Sequence, residues 1–159
     1  MSKQADPAQA RAQTRKLIED MLKERQQMLV LLWELSKLDL HTVDQPVLEM
    51  LDEFEDLLVD YIAAGHFGLY QRIAEGNERR QPVLEVAREI YPRIARSTDV
   101  AVEFSERYEA PEGERIQAHL ANDLSRLGEE LTTRIELEDQ LILAMLGRDF
   151  SIPRTQTTA

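Results

Sequence analysis

Three histidines, His41, His66 and His119, are the natural starting points for metal or proton chemistry in a chain that has no cysteine. Without Cys there is no disulfide, Fe–S cluster or thiol nucleophile, and most structural zinc sites are lost with them. A di-iron site in a helical protein needs Glu-x-x-His pairs on facing helices. The residues three before the histidines are Leu38, Ala63 and Ile116, so no such pair exists. No P-loop, G-x-G-x-x-G or G-x-S-x-G string is present. The expectation is a protein without metal, cofactor or catalysis.

Two polar groups nevertheless lie close to apolar stripes. The first is Asp60 and Tyr61 with His66, Phe67 and Tyr70. His66 and Tyr70 are four apart and share a helical face, while Asp60 lies just before Gly65. If the chain breaks at Gly65, Asp60 can fold against His66 and favour the protonated imidazole. One reading is a polar junction that orients two helices. The other is a catalytic or small-ligand-sensing pair. The second group is Glu138, which continues the stripe Ile116, Leu120, Leu124, Leu127, Leu131, Ile135 towards Ile142. It either slips to a wet edge or closes an ion pair with Arg134, one turn earlier.

The charges are uneven. The chain carries 30 acidic and 19 basic residues, net −11. From Leu38 to Gln71 there is no Lys or Arg, yet Asp39, Asp44, Glu49, Asp52, Glu53, Glu55, Asp56 and Asp60 all fall there. A solvated helix face explains such a run. So does a surface that attracts a basic protein partner, because charges without positive neighbours forgo pairing and repel one another. A strongly negative chain is a poor ligand for phosphate backbones, so direct nucleic-acid binding is not expected.

The elements that must position these groups read as helical almost throughout. A first helix is predicted from Pro7 to Leu38, with Leu17, Met21, Met28, Leu32 and Leu35 at helical period. A second starts near Asp44, its cap, with Pro46 in the first turn, and stops at Gly65. A short third runs from His66 to Glu75. A fourth spans Gln81 to Glu109, kinked by Pro92, and a fifth Glu114 to Leu146, ended by Gly147. The fold class is all-α: an up-and-down antiparallel bundle of four long helices plus a short helix. Its 159 residues suit one domain, 1–147, followed by a polar, loose tail, 148–159. No apolar run reaches the roughly 18 residues of a membrane span, and no signal-peptide core precedes the first helix. The expected setting is cytoplasmic, with no membrane contact.

The string Val59-Asp60-Tyr61-Ile62-Ala63-Ala64-Gly65-His66-Phe67-Gly68-Leu69-Tyr70-Gln71-Arg72-Ile73 closely resembles the Rsd/AlgQ family, the bacterial regulators of sigma D. Leu137-Glu138-Asp139-Gln140-Leu141-Ile142-Leu143 gives a second match, and Leu17 to Leu35, with Arg25 in register, a weaker one. The chain departs at Glu19-Asp20-Met21-Leu22, where the family carries an Asp-Arg-Trp-Leu-like string, and in its tail. The resemblance implies an anti-sigma factor that is not an enzyme. Such a protein binds region four of the primary sigma factor and keeps it from core RNA polymerase and the −35 element in slow growth. It also implies links to alginate and stress genes, to the phosphocarrier protein HPr and to alarmone hydrolysis. The partner-binding residues expected on this basis are Asp52, Glu53, Asp56, Asp60, His66, Phe67 and Tyr70. The alternative is a small-ligand sensor or enzyme built around the Asp60–His66 junction.

Overall fold

The computed structural model describes residues 7–42, 44–110 and 112–153. The first helix, α1, covers Pro7–Ser36 and buries Ile18, Met21, Met28 and Leu35 at steps of three, seven and seven. The second, α2, covers Gln45–Gly65. Asp44 caps it: its carboxylate accepts the backbone N–H of Val47 at 3.1 Å, and Pro46 takes the first turn, where its missing donor costs nothing.

Gly65 does not end this helix, which corrects the expectation drawn from the sequence. Gly65 has helical angles, φ −63° and ψ −44°, and the chain runs on through a π-helical turn, His66–Tyr70, into α3, Gln71–Ala74. The turn is marked by the Gln71 N–H donating to the carbonyl of His66, five residues back. Gly76, at φ 75°, is the real stop. Gly68 is the glycine that a close approach requires. A Cβ at Gly68 would lie 3.3 Å from the backbone oxygen of Leu17, and one at Gly65 would lie 3.4 Å from Nη2 of Arg134.

Helix α4 spans Gln81–Tyr108 and continues through Pro92, which faces solvent, where water can take the freed carbonyl. Helix α5 spans Gly113–Leu146. Gly147, at φ 94°, ends it and donates its N–H to Leu143 O at 2.9 Å. Beyond it Phe150 and Ile152 are partly buried against the core, and the guanidinium of Arg15 sits over the Phe150 ring at 5.1 Å. Residues 154–159, the rest of the expected tail, lie outside the described residues.

The side-chain pairs fix the topology. Arg25 meets Asp139, Arg93 meets Glu130, Arg107 meets Asp123, and Phe54 meets Phe104. Along α4 the partners rise from Arg93 to Arg107 as those on α5 fall from Glu130 to Asp123, so these two helices are antiparallel. Helix α1 packs chiefly on α2 and α4 on α5, and α1 with α5 and α2 with α4 close the four-helix ring. The single core contains Phe54, Leu58, Phe104, Leu120, Leu127 and Ile142.

Candidate functional site

The site has a buried polar layer and, above it, an exposed face on α2 and α4. The layer is centred on Glu138, which is fully buried. Burying a carboxylate requires partners, and four side chains supply them. Arg134, one turn earlier on α5, donates Nε–H to Oε2 at 3.0 Å. Tyr61 on α2 donates its hydroxyl to Oε1, and Tyr70 donates to Oε2 at 3.5 Å. Arg25 on α1 lies 3.8 Å from Oε1 and bonds Asp139 at 2.7 Å. Arg134 also donates to Ser97 at 3.1 Å and Thr98 at 2.7 Å on α4. One network therefore ties all four long helices. Burial, then the charge of Glu138, raises the hydroxyl pKa of both Tyr61 and Tyr70, so both remain proton donors. Burial alone would lower the Arg134 pKa, but Glu138 and the two tyrosines outweigh it and raise it.

This arrangement corrects the expected Asp60–His66–Tyr70 cluster. Tyr70 is 6% exposed and turned inward to Glu138. Asp60 and His66 are exposed, and no hydrogen bond or ion pair joins them. His66 instead stands edge-on to Phe67, with ring centroids 5.2 Å apart. The cause is the uninterrupted helix: without a break at Gly65, nothing folds Asp60 back. The sequence reading identified Arg134 as a partner of Glu138 but missed Tyr61, Tyr70 and Arg25 as the others.

Above the network, Asp52, Asp56, Val59 and Ala63 step by four, three and four along one exposed face of α2. Glu53 and Asp60 lie further round the same surface and are exposed. Val59, Ile62 and Phe67 face Thr98, Val102 and Ser105 of α4 across a groove of about 400 Å³. Three apolar side chains there are left in water: Val59 at 54%, Phe67 at 56% and Val102 at 46%. Spacing puts exposed carboxylates beside them, Asp56 next to Val59 and Asp99 and Glu106 next to Val102. The apolar strip with an acidic border was not read from the sequence. Single exposed valines carry no signal until the fold brings them together.

Glu55 also departs from its neighbours. The sequence counts it within a solvated run, but it is 7% exposed and its Oε1 has no hydrogen-bond partner. Burial, with Asp52, Glu109 and Asp56 adding repulsion, pushes its carboxyl up to about 7. Among the described residues, no group of three or more His, Cys, Asp or Glu is placed to hold a metal ion. No described helix is long and apolar enough to cross a membrane.

A helical bundle that presents an apolar groove with carboxylates beside it, over an internally satisfied polar layer, has the form of a protein-docking module. Comparison with known proteins gives the family. The profile described as regulator of RNA polymerase sigma(70) subunit, Rsd/AlgQ, matches residues 1–146, and the chain belongs to this family. It is 30% identical over 150 residues to the regulator of sigma D of Enterobacter sp. (strain 638), covering 91% of this chain and 88% of that protein. It is 36% identical over 100 residues to the regulator of sigma D of Escherichia coli O1:K1 / APEC, covering 60% and 61%. The match to the regulator of sigma D of Yersinia enterocolitica is 35% over 94 residues and spans 56% of that relative's length. No solved structure matches the chain.

Proposed function

We propose that this protein is an anti-sigma factor that acts in the bacterial cytoplasm by binding region four of the primary sigma factor. The observation that carries the reading is the groove between α2 and α4, with its exposed Val59, Phe67 and Val102 beside carboxylates. A DNA-binding region presents basic amphipathic helices, whose charges are meant for phosphates. The α2 face offers carboxylates to those charges and the groove takes apolar side chains. The apolar contacts supply most of the affinity, while Asp52, Glu53, Asp56 and Asp60 steer encounter and set specificity. His66 and Phe67 form the groove's far end. Tyr70 serves from beneath, holding the π-helical turn on the Glu138 network. Occupying region four in this way keeps sigma from core polymerase and from the −35 element. The consequence is a shift towards alternative sigma factors and the stress genes they serve.

The test is titration calorimetry and gel filtration of the full chain with the intact primary sigma factor and with sigma truncated before region four. A 1:1 complex with the intact factor and none with the truncated one is expected. Equal binding to both, or to neither, overturns the reading.

A further inference from the structure

A second cavity, of about 410 Å³, opens where α1, the connection from α3 to α4 and the end of α5 meet. Arg11, Arg72, Arg79 and Arg80 line it, and Glu78 is the one acidic residue of the lining. In a chain of net charge −11, this cavity holds four guanidiniums against one carboxylate. The cluster is built outward from that carboxylate. Glu78 is 4% exposed. Its Oε1 accepts the backbone N–H of Arg80 at 3.1 Å and its Nε–H at 2.9 Å, and its Oε2 accepts Nη2–H at 3.1 Å. Nε of Arg72 lies 3.4 Å from the same Oε2. The hydrogen bonds from Arg80 hold the Glu78 carboxyl below its ordinary value. Arg80 spends its remaining nitrogen on the carbonyl of Met145, at 2.8 Å, in the last turn of α5 where a cation suits the helix dipole. Glu78 thus fixes two guanidiniums and neutralises one. Arg79 is exposed and makes no hydrogen bond or ion pair among the described residues. The fold accounts for Arg80, but it gives Arg79 nothing to hold and Arg72 only a share of one carboxylate.

We propose that this cavity binds a small phosphorylated molecule, with Arg72 and Arg79 on the phosphate and Met145 and Leu146 against the rest of the ligand. Guanidinium forks match phosphate oxygens two at a time, and several converging on one cleft suit a group with more than one negative charge. The cavity falls in the range of about 300–1,000 Å³ typical of small-ligand sites. Its lining has the usual mixture: an apolar wall from Met145 and Leu146, neutral hydrogen-bonding groups from Thr14 and Asn77, and charge on the arginines. The buried Glu78 orients Arg72 and Arg80 before any ligand arrives, which lowers the ordering cost of binding. No lining residue is shared with the α2–α4 groove, so the site stands whether or not that groove is the docking face.

The experiment is titration calorimetry of the full chain with inorganic pyrophosphate, beside sulfate, acetate and a Glu-rich peptide at equal ionic strength, with thermal melts in parallel. Pyrophosphate is expected to bind one per chain, at least about tenfold more tightly than sulfate or acetate, and to raise the melting temperature. Arg79→Gln and Arg72→Gln should each weaken that binding about tenfold or more. Arg79→Gln decides if Arg72→Gln loses stability, because Arg79 is exposed and holds nothing in the fold. Arg88→Gln, an exposed arginine of α4 outside the cavity, should bind as wild type does. No saturable binding of pyrophosphate, equal binding of sulfate, or full affinity in Arg79→Gln overturns the inference. Tighter binding of the Glu-rich peptide than of pyrophosphate, lost in Arg79→Gln, overturns it too, and makes the cavity a seat for an acidic protein segment.

Discussion

The hydroxyl of Tyr61 hydrogen-bonds Oε1 of Glu138, so the two stretches with the strongest family resemblance meet inside the bundle. The resemblance thus marks residues that hold the helices in register, while the exposed face above them is built from Val59, Phe67, Val102 and the α2 carboxylates.

Glu138→Ala removes the acceptor of Tyr61 and Arg134 and leaves a guanidinium buried without its carboxylate. Breaking a buried pair in this way costs about 3–5 kcal/mol. Tyr61→Phe removes one hydrogen bond and is expected to cost about 1–2 kcal/mol. Urea denaturation measures both. A Glu138→Ala protein as stable as wild type would mean that the network does not hold the helices.

Three glycines separate closeness from flexibility. Gly128→Ala meets nothing within 4 Å in the interior of α5 and should stabilise by about 0.5–1 kcal/mol. Gly68→Ala meets the Leu17 backbone oxygen at 3.3 Å and should destabilise despite better helix propensity, whereas Gly65→Ala makes only ordinary contact with Arg134 at 3.4 Å and should change stability little. Thermal melts that rank all three alike would refute the close approach of α1 to the π-helical turn.

Much of the fold was legible in the sequence. Apolar steps of three and four give the four long helices, and Asp44 with Pro46 marks the start of α2. Gly65 misled, because a glycine between helical segments reads as a stop, whereas here it takes helical angles and the chain runs on through it. Glu138 and Arg134 could be paired because they share one helix. Tyr61, Tyr70 and Arg25 belong to other helices, and no local spacing encodes a contact with residues so distant in sequence. The burial of Glu55 was hidden for the same reason: it depends on how other helices pack around the middle of α2.

The folded-state pKa of Glu55, about 7, lies above its ordinary 4.5, so the native state binds more protons than the unfolded state between these values. The group's stability contribution is complete below about 4.5 and is lost as pH rises through 7. Glu55→Gln escapes this loss. Its stability relative to wild type should be greater at pH 8 than at pH 4.5 by about 1–2 kcal/mol, the upper part being screened away at the exposed neighbours Asp52 and Asp56. Denaturation curves at the two pH values decide; a constant difference would mean that Glu55 titrates normally.

Replacing Asp52, Glu53 and Asp56 together by Lys should slow association with the primary sigma factor by about tenfold at low salt and change dissociation much less. Raising salt should slow the wild type and close the gap, since exposed charges are screened over about 8–10 Å at 0.1–0.15 M. Stopped-flow rates that ignore both salt and substitution would reduce the acidic run to a solvated face.

The most direct test of the account is the affinity of Val59→Asp/Val102→Asp for the intact primary sigma factor, measured beside its thermal melt. Both valines are about half exposed, so the melt should barely move, whereas two carboxylates in the groove should weaken binding at least about 100-fold. Unchanged affinity in a normally folded double variant would contradict the claim that sigma docks between α2 and α4.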